Sequence, residues 1–133
     1  MSEKVNLGEI EEKVSGIRKF PSGAIRSDDA ESARFDLISP IALLRLAQTY
    51  NEGALKYPAH NYLKGIPASD LMNHALRHIM LWMAGDRSEP HIPHAVWGLC
   101  TLIHFEETRA DLMDMPPYQL PQEVIDLFTP KKD

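Results

Sequence analysis

Cysteine is nearly absent: Cys100 stands alone among 133 residues, so no disulfide framework can form within the chain, which suits a reducing cytoplasm. It lies in the apolar run from Trp97 to Phe105, where burial is expected rather than chemistry. Cations are in deficit. With 14 Lys+Arg against 19 Asp+Glu the net charge is −5, which excludes a non-specific grip on a phosphate backbone. No apolar run is long enough to span a bilayer, and Met1 to Glu12 are polar and acidic, unlike a secretory signal. A cytoplasmic protein with neither nucleic acid nor membrane as partner is therefore expected. Repeats and low-complexity tracts are missing, and no segment alternates convincingly as a strand.

What remains is helical patterning in an ordinary globular composition, with 44% hydrophobic and 25% charged residues. One domain over residues 1–133 is expected, with a charged arm or short helix over 1–20, a loop over Pro21–Ala33 and a C-terminal extension over 116–133. A first helix starts at Ser39-Pro40, a favoured N-cap followed by a residue suited to the first helical position, and runs to about Leu55. A second, capped by Ser69 or Asp70, ends at Gly85. It is apolar nearly all round, through Leu71, Leu76, Met80 and Trp82, and so needs cover from its own fold or from a second subunit. A third begins near His91, tolerates Pro93 in its first turn and reaches about Met113, before Pro116-Pro117. Leu120–Phe128 can form a short terminal helix. The expected fold is all-α, a compact bundle of about three main helices completed by oligomerisation as a dimer or tetramer.

Four of the six histidines fall in one stretch. His74 and His78 share a helix face, as do His91 and His94 on the next helix, and Asp86 lies in the link between. Antiparallel helices would bring the pairs together in a metal-ligand arrangement, although each histidine alone could be a hydrogen-bonded core residue. Glu52 offers a carboxylate to a metal, or forms a surface ion pair with Lys56 one turn on. The loop from Lys56 to Gly65 combines cations, aromatics and amides that can neutralise phosphate, stack on a base and read its edge, but it also has the composition of an ordinary surface loop. The same two readings hold for Arg26 and Arg34, which flank an Asp-rich loop.

The order of certain segments resembles one family. They are Ser22-Gly23-Ala24-Ile25-Arg26, Arg34 to Pro40, Glu52 to Tyr57, Asn61 to Pro67, Leu76-Arg77-His78, Gly85-Asp86 and His91 to Trp97. This set resembles the phage and bacterial dATP/dGTP diphosphohydrolases of the MazZ type, a distant branch of the all-α MazG-like pyrophosphohydrolases. The resemblance implies hydrolysis of a purine deoxynucleoside triphosphate, dGTP or dATP, to the monophosphate and pyrophosphate, with Mg²⁺ or Mn²⁺. It also implies a role in some phages, supplying dGMP for synthesis of a modified purine nucleotide.

On this reading Glu52 is the base and His78 the second choice. Glu52, His78, Asp86, His91 and His94 are the metal candidates. Arg26, Arg34, Asp36, Lys56, Tyr57, Asn61 and Lys64 are the substrate candidates. The chain departs from the pattern in one respect. Where MazG-like enzymes carry carboxylate pairs, the positions that look equivalent are His78 and His91-x-x-His94. Mg²⁺ prefers oxygen and imidazole suits Mn²⁺ and later metals better. Either the metal is softer than usual, or Glu52, Asp86 and Asp36 supply oxygens while some histidines support them or touch phosphate. Two rivals are an HD-type triphosphohydrolase, although no His-Asp dipeptide occurs, and a non-enzymatic helical dimerisation module with a structural metal.

Overall fold

The computed structural model describes residues 16–27 and 33–131. The chain forms two compact units, Met1–Pro40 and Ile41–Asp133. Residues 1–15 of the expected arm lie outside the described residues.

The first unit holds a hairpin where a loop was expected. Strands β1 (Ile17–Lys19) and β2 (Ile25–Ser27) pair antiparallel, with Arg18 opposite Arg26. The turn is closed by Phe20 N–H to Ala24 O and Gly23 N–H to Phe20 O, both 2.8 Å. Gly23 sits at φ +92°, a left-handed conformation that glycine adopts without steric cost. Strands of three residues are too short for alternation to register in the sequence. A 3₁₀ turn follows at Phe35–Leu37.

The rest is helical. Helix α1 spans Pro40–Lys56, starting at the expected Ser39-Pro40 step. A 3₁₀ turn at Asn61–Lys64 leads to α2, Ala68–Met83. The expected cap of α2 is corrected. Ser69 and Asp70 lie within its first turn, and no side chain of Pro67 can cap it. Asp114 serves instead, its carboxylate accepting Ser69 N–H at 2.8 Å and the Ser69 hydroxyl at 2.6 Å. It satisfies an otherwise open helix-end donor from 45 residues away.

Helix α2 stops where Gly85 predicts. Gly85 lies at φ +96°, its N–H bonds Trp82 O at 3.1 Å, and Asp86 N–H bonds Leu81 O at 3.0 Å. This double closure turns the chain sharply and fixes Asp86 just beyond the helix. Helix α3 spans His91–Thr108, with Pro93 in its first turn, where no intrahelical acceptor is lost. It ends short of the expected Met113. Arg109 leaves the helical region at φ −139° and pairs with Asp111 at 2.8 Å, beside a 3₁₀ turn at Ala110–Leu112. The terminal helix is one turn, α4 (Gln122–Ile125), continued by a 3₁₀ turn at Asp126–Phe128.

Helices α2 and α3 run antiparallel and share the core. Leu71, Ala75, Ala95 and Phe105 are buried between or beside them. Gly98 lets them close: a Cβ there would lie 3.3 Å from Leu71 O and 3.5 Å from the Ala75 side chain. Tyr50 of α1 is tied to buried Thr101 of α3 by a 3.0 Å hydrogen bond between hydroxyls. Burial pushes the Tyr50 hydroxyl pKa well above its ordinary value. Cys100 is half-buried rather than fully packed. The described fold is mostly helical, four helices and one two-stranded sheet, and no helix among the described residues is long and apolar enough to cross a membrane.

Candidate active site

The sharp turn at Gly85 and the antiparallel course of α2 and α3 bring both histidine pairs to one place. His78 is 6% exposed and His91 2%. Their Nδ1 atoms are 2.8 Å apart, and His78 Nε2 is 3.1 Å from His74 Nε2. On the far side His91 Nε2 meets the Asp86 carboxylate.

The proton positions follow from the acceptor end. Asp86 is held below the usual carboxylate range, first by His91 and then by Ser88, so it accepts from His91 Nε2–H. With its proton on Nε2, His91 can accept at Nδ1 from His78 Nδ1–H. His78 Nε2 in turn accepts from His74 Nε2–H. The chain ends at His74 Nδ1, a buried nitrogen with no hydrogen-bond partner. His78 suits this neutral arrangement because burial, then the neighbouring His74 and His94, lowers its pKa.

That lowering has a consequence for stability. A group whose folded pKa is depressed contributes stability fully above its unfolded value and loses it as pH falls toward the folded one. In chelator, the melting temperature should be level above neutral pH and fall as pH drops below about 6.5, the reference histidine value. An unfolding midpoint indifferent to pH through that window would count against a neutral, buried His78.

His94 makes a different arrangement. Its Nδ1 lies 3.1 Å from Glu89 Oε1 and its Nε2 lies 2.9 Å from Glu52 Oε2. One imidazole thus joins a carboxylate on α1 to one in the α2–α3 link. The contact with His94 holds the Glu89 carboxyl below its ordinary range. Glu89 also stands 3.5 Å from His78 Nδ1 and 4.0 Å from His91 Nδ1.

His78, Glu89 and His91 therefore present three ligand atoms within 4.8 Å of one another. Neighbouring ligands around an octahedral ion bound at about 2.1 Å stand roughly 3 Å apart, so the set is close to the spacing a divalent cation needs. Two imidazoles with one carboxylate favour Mn²⁺ or a later metal over Mg²⁺. The hydrogen bond from His91 to Asp86 is the kind of outer support that orients a metal-binding ring.

His78 and Glu89 of this group line one wall of a cleft of about 870 Å³. Glu52, Lys56, Tyr57, Asn61, His78 and His94 line it, together with His74, Glu89 and Trp97. Tyr50, Tyr62 and Trp97 form an aromatic cluster there, with Tyr50 5.5 Å from Tyr62 and 6.0 Å from Trp97 between ring centres. His91 and Asp86 stand behind the wall. Lys64 is exposed at the end of its 3₁₀ turn and is not on the cleft lining. Arg26, Arg34 and Asp36 belong to the first unit, where Arg34 grips Asp36 through two hydrogen bonds of 2.8 and 2.7 Å.

Glu89 was missed among the sequence candidates, although an acidic residue between two histidine pairs, in the same link as Asp86, is a usable signal. Joined carboxylate and histidine groups thus stand beside an aromatic cluster in one cleft. A family model described as dATP/dGTP diphosphohydrolase, N-terminal, matches residues 22–115. The chain belongs to that family, and is therefore an enzyme of the nucleotide pyrophosphohydrolase class rather than a non-catalytic module. No curated protein and no solved structure matches it.

Proposed function

We propose that the enzyme hydrolyses a purine deoxynucleoside triphosphate between its α- and β-phosphates, with dGTP favoured over dATP, using Mn²⁺ or Mg²⁺. The observation that carries this reading is the His78–Glu89–His91 ligand group at the wall of a cleft that also holds Glu52, Lys56 and an aromatic cluster. A divalent ion held by that group would supply charge neutralisation at the triphosphate and lower the pKa of water.

The chain's own residues supply the rest. Glu52, positioned by His94 at 2.9 Å, accepts the proton of the attacking water. The water oxygen forms the new bond to the α-phosphorus, the α–β bridging P–O bond breaks, and pyrophosphate leaves. Lys56 offsets phosphate charge at the same cleft. Tyr57 and Asn61, both on the cleft lining, would stack on the base and bond its edge. Lys64 is a second-rank substrate candidate, since it does not line the cleft, and Arg26, Arg34 and Asp36 are candidates carried by the first unit. A supply of dGMP for modified-purine DNA in a phage fits this reaction.

Incubation with dGTP and Mn²⁺, followed by identification of the released anion, tests the reading. Pyrophosphate is expected. Triphosphate would instead point to an HD-type reaction, and no release in the presence of any divalent metal would defeat the proposal.

The working form should be an oligomer. Leu76, Met80 and Met83 recur at helical spacing along α2 and are 50%, 60% and 67% exposed, while the fully buried apolar core is small. Light scattering at micromolar concentration should give at least the mass of two chains. A stable monomer would remove this expectation.

A further inference from the structure

A second cavity, of about 430 Å³, opens at the far end of α2. Trp82, Ile92, Pro93 and Val96 give it apolar walls, and Arg45 and Arg87 place cations on it. Arg87 is held in position. Its guanidinium lies 4.7 Å over the Trp82 ring and donates to the Trp82 and Asp86 carbonyls at 2.8 and 2.9 Å. Glu89 also lines the cavity, but its Oε1 faces His94 at 3.1 Å. The cavity therefore suits an apolar group that brings negative charge.

The same chain carries such a group. The terminal turn, Gln122–Phe128, sets acidic Glu123 and Asp126 beside Ile125, Leu127 and Phe128. Leu127 and Phe128 are each 81% exposed. Gln122 Nε2 donates to Asp126 Oδ1 at 2.8 Å, so the turn is formed before it meets anything, which lowers the ordering cost of docking. A segment with three prolines, Pro116, Pro117 and Pro121, tethers it and favours an extended course.

The placement of the turn points to the copy that receives it. The tether leaves Asp114, pinned to Ser69 at the start of α2, whereas the cavity lies beside Trp82 at the other end, about 20 Å away at helical rise. Eight residues span at most about 29 Å, yet the turn does not enter its own cavity: none of Gln122–Phe128 is on that lining, and Leu127 and Phe128 stay exposed. In a two-fold pair of antiparallel α2 helices, joined through the Leu76–Met80–Met83 stripe, the start of one helix lies beside the end of the other. We propose that the turn at Gln122–Phe128 of each chain docks into the arginine-flanked cavity of a second copy, Leu127 and Phe128 filling it and Glu123 and Asp126 facing Arg45 and Arg87.

The exchange is reciprocal, so two seatings close one interface. The cavity wall includes Glu89 and His91, so each tail braces the ligand group of its partner from behind. The docking stands independently of which nucleotide the enzyme uses.

Two measurements test it. In a Cys100→Ser background, Phe128→Cys combined with Ile92→Cys should yield a covalent dimer under mild oxidation, seen on a non-reducing gel. A bridge within one chain, or no bridge at all, overturns the proposal. Separately, Phe128→Asp alters a residue too exposed to unfold the chain, and should weaken self-association by about tenfold or more in sedimentation. Wild-type association in that variant would equally overturn it.

Discussion

Glu52→Gln should lower kcat by roughly 10²–10⁴-fold, the range lost when a general base is removed, while the melting temperature stays close to that of the parent. Glu52 is half-exposed on α1, so no buried charge is left unpaired by the change. The amide keeps the shape and can still hydrogen-bond His94, but it cannot take a proton. Steady-state assays with dGTP, run beside thermal melts, separate the two effects. Activity near the parent level would reduce Glu52 to a surface partner of His94.

The second large effect concerns metal. His91→Ala should weaken Mn²⁺ binding by about 100-fold or more, and Glu89→Gln similarly, because each removes one of three donors from the group His78–Glu89–His91. Asp86→Asn removes only the carboxylate behind His91 and should cost roughly 10–100-fold, the range for groups that support a metal ligand. His94→Ala should act differently. His94 touches Glu52 and Glu89 rather than His91, so its loss should weaken Mn²⁺ modestly and depress kcat more, through a displaced Glu52. Calorimetry of Mn²⁺ with the metal-free protein distinguishes them. An unchanged affinity in His91→Ala would remove the imidazole pair from the metal site.

A cation held by His78 and His91 through Nδ1 would also rearrange the histidine chain. His78 must surrender its Nδ1 proton and carry one on Nε2, which then donates to His74 Nε2. His74 responds by moving its own proton to Nδ1, the buried nitrogen that lacks a partner. The His74 tautomer would then report occupancy in a nitrogen-detected NMR spectrum.

Local signals made much of the fold legible. Ser39-Pro40 marks a helix start, Gly85 a stop and Pro93 a permitted first-turn proline, and each describes backbone constraints acting within a few residues. The same signals placed His74, His78, Asp86, His91 and His94 in one neighbourhood, since helical spacing plus a short link leaves few other arrangements. What escaped depends on distant partners. The cap of α2 comes from Asp114, 45 residues on, and no local pattern at Ser69 discloses it. The early end of α3 turns on Arg109 preferring Asp111 to another helical turn. Glu89 escaped because its role arises only when His78 and His91 face it from two helices. The family was legible because its evidence is the order of many short segments, which needs no tertiary knowledge.

Gly98 sits two helical turns beyond His91 on α3, opposite Leu71 and Ala75 on α2. It carries no functional group, yet it sets the gauge of the ligand site. A methyl there would stand 3.3 Å from Leu71 O, and a backbone carbonyl cannot rotate aside as a side chain can. The two helices would have to part by a few tenths of an ångström. His78 and His91 meet at 2.8 Å, a hydrogen-bond separation with little slack before it weakens. The spacing at the metal group is therefore adjusted from a distance by packing, like a calliper whose stop lies away from its jaws. Any change in the separation of His78, Glu89 and His91 would begin at the helix contact, not among the histidines.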